Sequence, residues 1–141
     1  PAAIYEQPNS RWVADFIGDV NVFEGRVGAD GLSVEGTAAG HLRVAAKADA
    51  APGTTVWVAV RPEKVRITRE PPLPGADNCV AGKIVDIDYL GDFSIYKLRL
   101  RDGAVIKAAL ANVGGRAERA LTLGEEVWLI WPPESGMLLT Q

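Results

Sequence analysis

The feature that most constrains this chain is its rhythm after Gly18, where short runs of alternating apolar and polar residues are each closed by a glycine-bearing turn. Successive side chains of a strand point to opposite faces, so a period of two marks a half-buried strand and cannot serve a helix. Asn21 to Val27 and Leu32 to Gly36 flank Gly28-Ala29-Asp30-Gly31, where Asp-Gly supplies the positive φ of a tight turn. His41 to Ala45 adds a short strand before Pro52-Gly53. Val56 to Val60 is apolar on both faces, which predicts a central strand covered on both sides. After Pro62, Val65 and Ile67 alternate with Lys64, Arg66 and Thr68, the half-buried pattern again. The run Glu70-Pro71-Pro72-Leu73-Pro74-Gly75 then breaks the ladder, because proline has no N–H to donate, and it is expected to join two β units.

In the second unit the apolar residues fall on even numbers at Val80 and Ile84 and on odd numbers at Val85, Ile87 and Tyr89. Such a slip of one residue predicts a bulge and strong local curvature. Gly91-Asp92 turns the chain into Phe93 to Leu100, Asp102-Gly103 into Val105 to Leu110, and Glu126 to Trp131 and Met137 to Thr140 complete the set. About nine to eleven short strands with few helices point to a mainly β fold of small curved barrels, of the kind that oligonucleotide- and oligosaccharide-binding (OB) domains use. The expected layout is residues 1–18 as a helical linker and residues 19–141 as a β domain of two intertwined units, about 19–70 and 79–141. In the linker, Pro8 ends a first helix over Ala2 to Gln7, and Asn9 caps a second whose Trp12, Val13, Phe16 and Ile17 share one face before Gly18 closes it. An opening in mid-pattern is read as a fragment of something larger.

The formal net charge of −3 provides no global positive field for a phosphate backbone, so nucleic acid is not an expected partner. A single cysteine, Cys79, excludes an internal disulfide, leaves too few soft ligands for structural zinc and fits a reducing compartment. The single histidine, His41, has no second ligand near it in sequence. No apolar run approaches the ~20 residues that span a bilayer. The chain lacks a Gly-Lys-Ser/Thr phosphate loop, a Gly-x-Gly fingerprint, His-Glu-x-x-His and Gly-x-Ser-x-Gly, so neither a catalytic residue nor a resident cofactor or metal is expected. Asp86 and Asp88 share a strand face and are matched by Lys97, Arg99 and Arg101, which would pair across a hairpin as a solvated surface. Arg61 and Glu63, after the most apolar strand, are candidates either to hold a turn or to meet a partner. Four tryptophans, Trp12, Trp57, Trp128 and Trp131, without interleaved basic residues, suit packing better than base stacking.

The run Pro1-Ala2-Ala3-Ile4-Tyr5-Glu6-Gln7-Pro8-Asn9, continuing through Val13-Ala14-Asp15-Phe16-Ile17-Gly18 to Asn21, resembles the segment that joins the ATP-binding and accessory domains of ABC importer ATPases. Val60-Arg61-Pro62-Glu63 and Gly82-Lys83-Ile84-Val85-Asp86-Ile87-Asp88-Tyr89-Leu90-Gly91 are similar to signatures of their carboxy-terminal transport-associated β domain, called TOBE. The stretch Phe16 to Gly25 looks most like the putrescine and spermidine branch. The resemblance implies an OB- or MOP-like fold and a regulatory domain that pairs with a second copy of its subunit. ATP and magnesium would be held by the separate ATP-binding domain, which works with membrane permeases at the inner face of the membrane. Arg61, Glu63, Tyr89 and Asp92 are the implied regulatory or interface residues. The competing reading is a small-ligand module of a sugar, iron, sulfate or molybdate importer, for which Thr54, Thr55 and Lys107 would have to converge on an oxyanion.

Overall fold

The computed structural model describes residues 20–73, 75–112 and 121–140. The expected amino-terminal helices therefore lie outside the described residues. The described residues form ten strands: β1 Asn21–Val27, β2 Ser33–Thr37, β3 Gly40–Arg43, β4 Thr55–Val60, β5 Arg66–Thr68, β6 Asn78–Tyr89, β7 Phe93–Arg99, β8 Val105–Ala111, β9 Glu126–Trp131 and β10 Gly136–Leu139. They form two five-stranded antiparallel sheets, in the orders β10-β4-β1-β2-β3 and β5-β9-β6-β7-β8. The strand read as central, β4, is flanked on both sides, and the slip in the second unit is a register shift between Ile84 and Asp86 where β6 meets β7.

The two sheets repeat one plan. Reading β1 to β5 against β6 to β10, each strand has a counterpart in the other series, and Val56-Trp57-Val58-Ala59-Val60-Arg61-Pro62-Glu63 matches Val127-Trp128-Leu129-Ile130-Trp131-Pro132-Pro133-Glu134 in pattern. Both runs end in a 3-10 turn, Pro62–Lys64 and Pro133–Ser135, where proline's fixed φ suits the first position. The fifth strand of each series is exchanged: β5 pairs with β9 through Ile67 and Leu129, and β10 pairs with β4 through Leu138 and Val58.

One apolar core runs between the sheets. Val56, Val58, Leu42, Leu98, Leu129 and Trp131 are all fully buried, and each large aliphatic so placed contributes about 1.5–3 kcal/mol. The Phe23 and Trp131 rings, one from each sheet, stack at 5.4 Å between centroids and 16° between planes. Two asparagines at equivalent places fasten each repeat to the edge strand of the other sheet. At the start of β1, Asn21 Nδ2 donates to the Lys107 carbonyl at 2.8 Å and Oδ1 accepts the Lys107 N–H at 2.7 Å. At the start of β6, Asn78 does the same to Arg43, at 3.0 and 2.8 Å.

Candidate functional site

The four residues singled out from sequence lie at two places along the edge strand β8. Arg61 directly follows Val60, the pairing partner of Asn21, and Asn21 in turn grips Lys107 in the middle of β8. The Arg61 carbonyl accepts the Lys64 N–H at 2.9 Å, and the turn it opens packs against β8. Arg61 is half-buried, and Glu63 is exposed. Tyr89 and Asp92 sit instead at the tip of the β6–β7 hairpin, beside the far end of β8, where Phe93 pairs with Ala111. Four residues of strand separate Lys107 from Ala111, about 13 Å. The fold thus brings the two pairs to one edge without joining them. Among the described residues, none of the four side chains makes a hydrogen bond or ion pair.

The hairpin tip groups three exposed large apolar side chains: Tyr89, Leu90 and Phe93 are 67%, 46% and 41% exposed. Tyr89 stands out where β6 and β7 run past the end of the core, while Ser94, its partner in the ladder, is fully buried. The tip is held firmly. Gly91 has φ +89°, a conformation that a side chain would strain. Asn112 then fixes the turn from three sides: its Nδ2 donates to the Gly91 carbonyl at 2.6 Å, its N–H to the Asp92 carbonyl at 2.8 Å, and its Oδ1 accepts the Ser94 hydroxyl at 2.8 Å.

Sequence reasoning missed a second feature, an open cleft of about 720 Å³ lined by Asp30, Ser33, His41, Arg43, Asp77 and Glu134 among others. It collects residues from the β1–β2 turn, β3, the segment before β6 and the second 3-10 turn, so no local spacing announces it. The available signal is the repeat itself: the cleft lies where Pro132-Pro133-Glu134 meets the edge strand β3, the counterpart of Arg61-Pro62-Glu63 against β8. Its charges are partly committed. Asp30 accepts the Leu32 N–H at 2.9 Å and the Ser33 hydroxyl at 3.3 Å, and the Leu32 N–H above all holds its carboxyl below the usual range. His41 Nδ1 meets Glu35 Oε2 at 2.7 Å, and Arg66 reaches Asp77 at 3.3 Å.

Other sequence expectations resolve in detail. Asp86 does stand opposite Lys97, but the bulge beside it sets Arg99 against Lys83 and Asp88 against Ile95, so the two charged faces do not align as a matched pair of rows. Arg66–Asp77 and Arg69–Glu125 are ion pairs among the described residues, and His41 Nδ1 contacts Glu35 Oε2 at 2.7 Å. Thr55 lies opposite Arg26 at one end of β1, whereas Lys107 is bound to Asn21 at the other, about 16 Å away along the strand, so Thr54, Thr55 and Lys107 do not converge on an oxyanion. Trp131 is in the core, and Trp57 and Trp128 are half-buried on the outer sheet faces. Among the described residues no three His, Cys, Asp or Glu side chains gather as a cation site, and no helix is long and apolar enough to cross a membrane.

Comparison with known proteins matches this architecture. The TOBE domain family matches residues 58–139. The putrescine transport ATP-binding protein PotG of Escherichia coli K12 is 42% identical over 99% of this chain and 38% of its own length. The spermidine/putrescine import ATP-binding protein PotA of Rubrobacter xylanophilus is 39% identical over 99% of this chain and 36% of its own, and that of Chromobacterium violaceum 33% over 100% and 40%. The chain thus spans about two fifths of the length of these curated relatives. Among solved structures, the molybdate-bound form of the cytoplasmic molybdate-binding protein ModG superposes with a TM-score of 0.71 at 19% identity, covering 86% of this chain and 96% of that one. At that identity the likeness speaks for the fold alone, an OB- and MOP-like arrangement of small β units. Because the family match takes in more than half of the chain, from the end of β4 through the whole second repeat to the exchanged strand β10, this chain belongs to the TOBE domain family.

Proposed function

We propose that the chain is the accessory, regulatory β domain of the ATP-binding subunit of a polyamine importer, of the putrescine and spermidine type. The observation that carries the reading is the 42% identity to the putrescine transport ATP-binding protein PotG across 99% of this chain. In this reading the remaining three fifths of such a subunit binds ATP and magnesium and engages membrane permeases from the cytoplasmic side, while this chain performs no chemistry. Its task is mechanical. Two ATP-binding domains must meet and part in each cycle, and a β domain that associates with its copy keeps them at high effective concentration while they are apart. Any contact that favours one arrangement of the pair shifts the open–closed population by its differential affinity. The apolar hairpin tip at Tyr89, Leu90 and Phe93, held rigid by Asn112, supports a role in such contacts. Arg61 and Glu63 lie along the same edge. An oxyanion-sensing role has less support, since Thr54, Thr55 and Lys107 are spread along β1.

A domain exchange tests this directly. The segment of Escherichia coli PotG that aligns with this chain is replaced by residues 1–141, and putrescine uptake is measured in cells lacking their own PotG. Uptake near the unmodified level is expected from the exchanged protein and none from a version lacking the segment. An exchanged protein that assembles with its permease yet supports no uptake overturns the polyamine assignment. Sedimentation of the 141-residue chain and of the exchanged subunit, with and without ATP, tests the tether, and a monomer under every condition overturns that part.

A further inference from the structure

Gly25 stands opposite Val56 and Gly82 opposite Val127, the matched valines of the repeat, so the next residues, Arg26 and Lys83, hold equivalent places. Their cross-strand neighbours differ in charge. Arg26 lies between Glu35 and Thr55, whereas Lys83 lies between Arg99 and Glu126. On the side where the first repeat sets a carboxylate beside this cation, the second sets a guanidinium. Directly opposed side chains have Cβ atoms about 4.5–5.5 Å apart, and like charges so placed oppose folding. The Lys83–Arg99 apposition is therefore a cost that the shared β plan does not demand.

Arg101, two residues past Arg99, joins them. Lys83, Arg99 and Arg101 are exposed and line one cleft of about 260 Å³ with Glu126, over the small residues Ala81 and Gly82. At ~30 Å³ per water molecule, that is room for a tetrahedral anion with part of its hydration. On the same sheet Arg66 meets Asp77 and Arg69 meets Glu125. Among the described residues, no hydrogen bond or ion pair engages the side chains of Lys83, Arg99 or Arg101. Three cations share the cleft with one carboxylate, so a chain of net charge −3 carries a local positive field here.

We propose that this cleft binds a phosphate-bearing ligand, with Arg99 and Arg101 offering guanidinium forks to the phosphate oxygens and Lys83 a third charge. The donors select the ligand. A guanidinium presents parallel N–H groups that match two oxygens of one phosphate, and such charge-assisted bonds are about twice as strong as neutral ones. A doubly charged phosphate also relieves the Lys83–Arg99 repulsion, which a neutral ligand cannot do. The phosphate belongs either to a free anion or to a lipid headgroup, two sources of one chemistry. Thr54, Thr55 and Lys107 take no part in the cleft. The site stands on this charge pattern alone, whether or not the parent subunit imports polyamines.

The test has two arms. The 141-residue chain, isotope-labelled for NMR, is titrated with inorganic diphosphate, and it is separately co-sedimented with vesicles of phosphatidylcholine alone or mixed equally with phosphatidylglycerol. Backbone shifts at Lys83, Arg99 and Arg101 with diphosphate alone assign a free anion. Sedimentation with the anionic vesicles alone assigns a lipid headgroup, and both together assign the phosphate group they share. Binding is expected to weaken as salt rises from about 0.01 to about 0.1 M, where the screening length shrinks from ~30 to ~10 Å. Arg99→Gln, and Arg99→Glu, which copies the first repeat, are each expected to weaken it roughly tenfold or more, while Arg26→Gln leaves it unchanged. Urea unfolding of Arg99→Gln with a midpoint no lower than the parent's is expected to show that its fold is intact. Binding in neither arm, binding that both Arg99 variants retain, or an equal loss in Arg26→Gln overturns the proposal.

Discussion

The side-chain amide of Asn21 completes the backbone hydrogen bonding of Lys107, 86 positions further along the chain, with one bond donated at 2.8 Å and one accepted at 2.7 Å. An edge strand presents unpaired N–H and C=O groups, and here one such pair is capped by a side chain instead of another strand. Replacing Asn21 by alanine leaves both groups without this partner and is expected to cost about 1–3 kcal/mol. Asn78→Ala, which frees Arg43 in the mirror position, is expected to match it. Urea unfolding with an unchanged m-value measures both, and a loss confined to one of them argues that the repeats are not equivalent.

Gly25 and Gly82 occupy the same place in the two repeats but not the same space. A Cβ on Gly25 meets the Glu35 carbonyl oxygen and a Val34 methyl at 2.6 Å, and the first of these is backbone that cannot step aside. On Gly82 the nearest atoms are side-chain carbons of Leu129 and Leu100 at 3.3 and 3.4 Å, which can. Gly25→Ala is therefore expected to destabilise by about 3 kcal/mol, and Gly82→Ala to stay within about 1 kcal/mol of the parent. Thermal unfolding of the two variants side by side checks the difference.

Arg69 grips Glu125 with Nε at 2.6 Å and Nη2 at 3.1 Å. The guanidinium first, and the Thr122 N–H second, hold the Glu125 carboxyl at about 2, against 4.5 for an unperturbed one. A carboxylate whose folded value lies below its unfolded value stabilises the fold at pH above 4.5, and that contribution drains away as the pH falls towards about 2. Glu125→Gln removes the titration, so its stability is expected to fall less steeply than that of the parent across this window. Urea midpoints taken through the acid range read the difference in slope.

Tyr89 and Phe93 stand in solvent beyond the end of the core, so replacing both with serine is expected to change stability by less than about 0.5 kcal/mol. The same double variant is expected to weaken self-association of the domain. Sedimentation equilibrium beside urea unfolding separates the two effects, and unaltered association takes the tip out of the interface.

Much of the fold was legible in the sequence because a two-residue period leaves its mark wherever one face of a strand is buried. Asn21–Val27 and Glu126–Trp131 begin and end where their alternation does, and the parity change after Ile84 became a bulge. The partnering of strands was not legible. That β5 crosses to β9 and β10 to β4 depends on which edges remain open once both hairpin series have formed, which no short window records. The echo of Val56-Trp57 in Val127-Trp128, and of Pro62-Glu63 in Pro133-Glu134, was the available clue. For the candidate site, alternation alone did not place Tyr89, because parity gives the side of a strand and not whether the core extends that far. The cleft around Asp30, His41 and Glu134 needed three dimensions, since its lining comes from segments far apart in the chain.

The reciprocal loan of β5 and β10 makes the two halves mutually indispensable. Neither owns a finished sheet, so severing the proline-rich connection near Pro71 would yield two pieces that are each unsaturated at one margin and complementary at the other. Heat or denaturant should then dismantle the molecule in a single concerted event, because opening either half withdraws a rib from its companion.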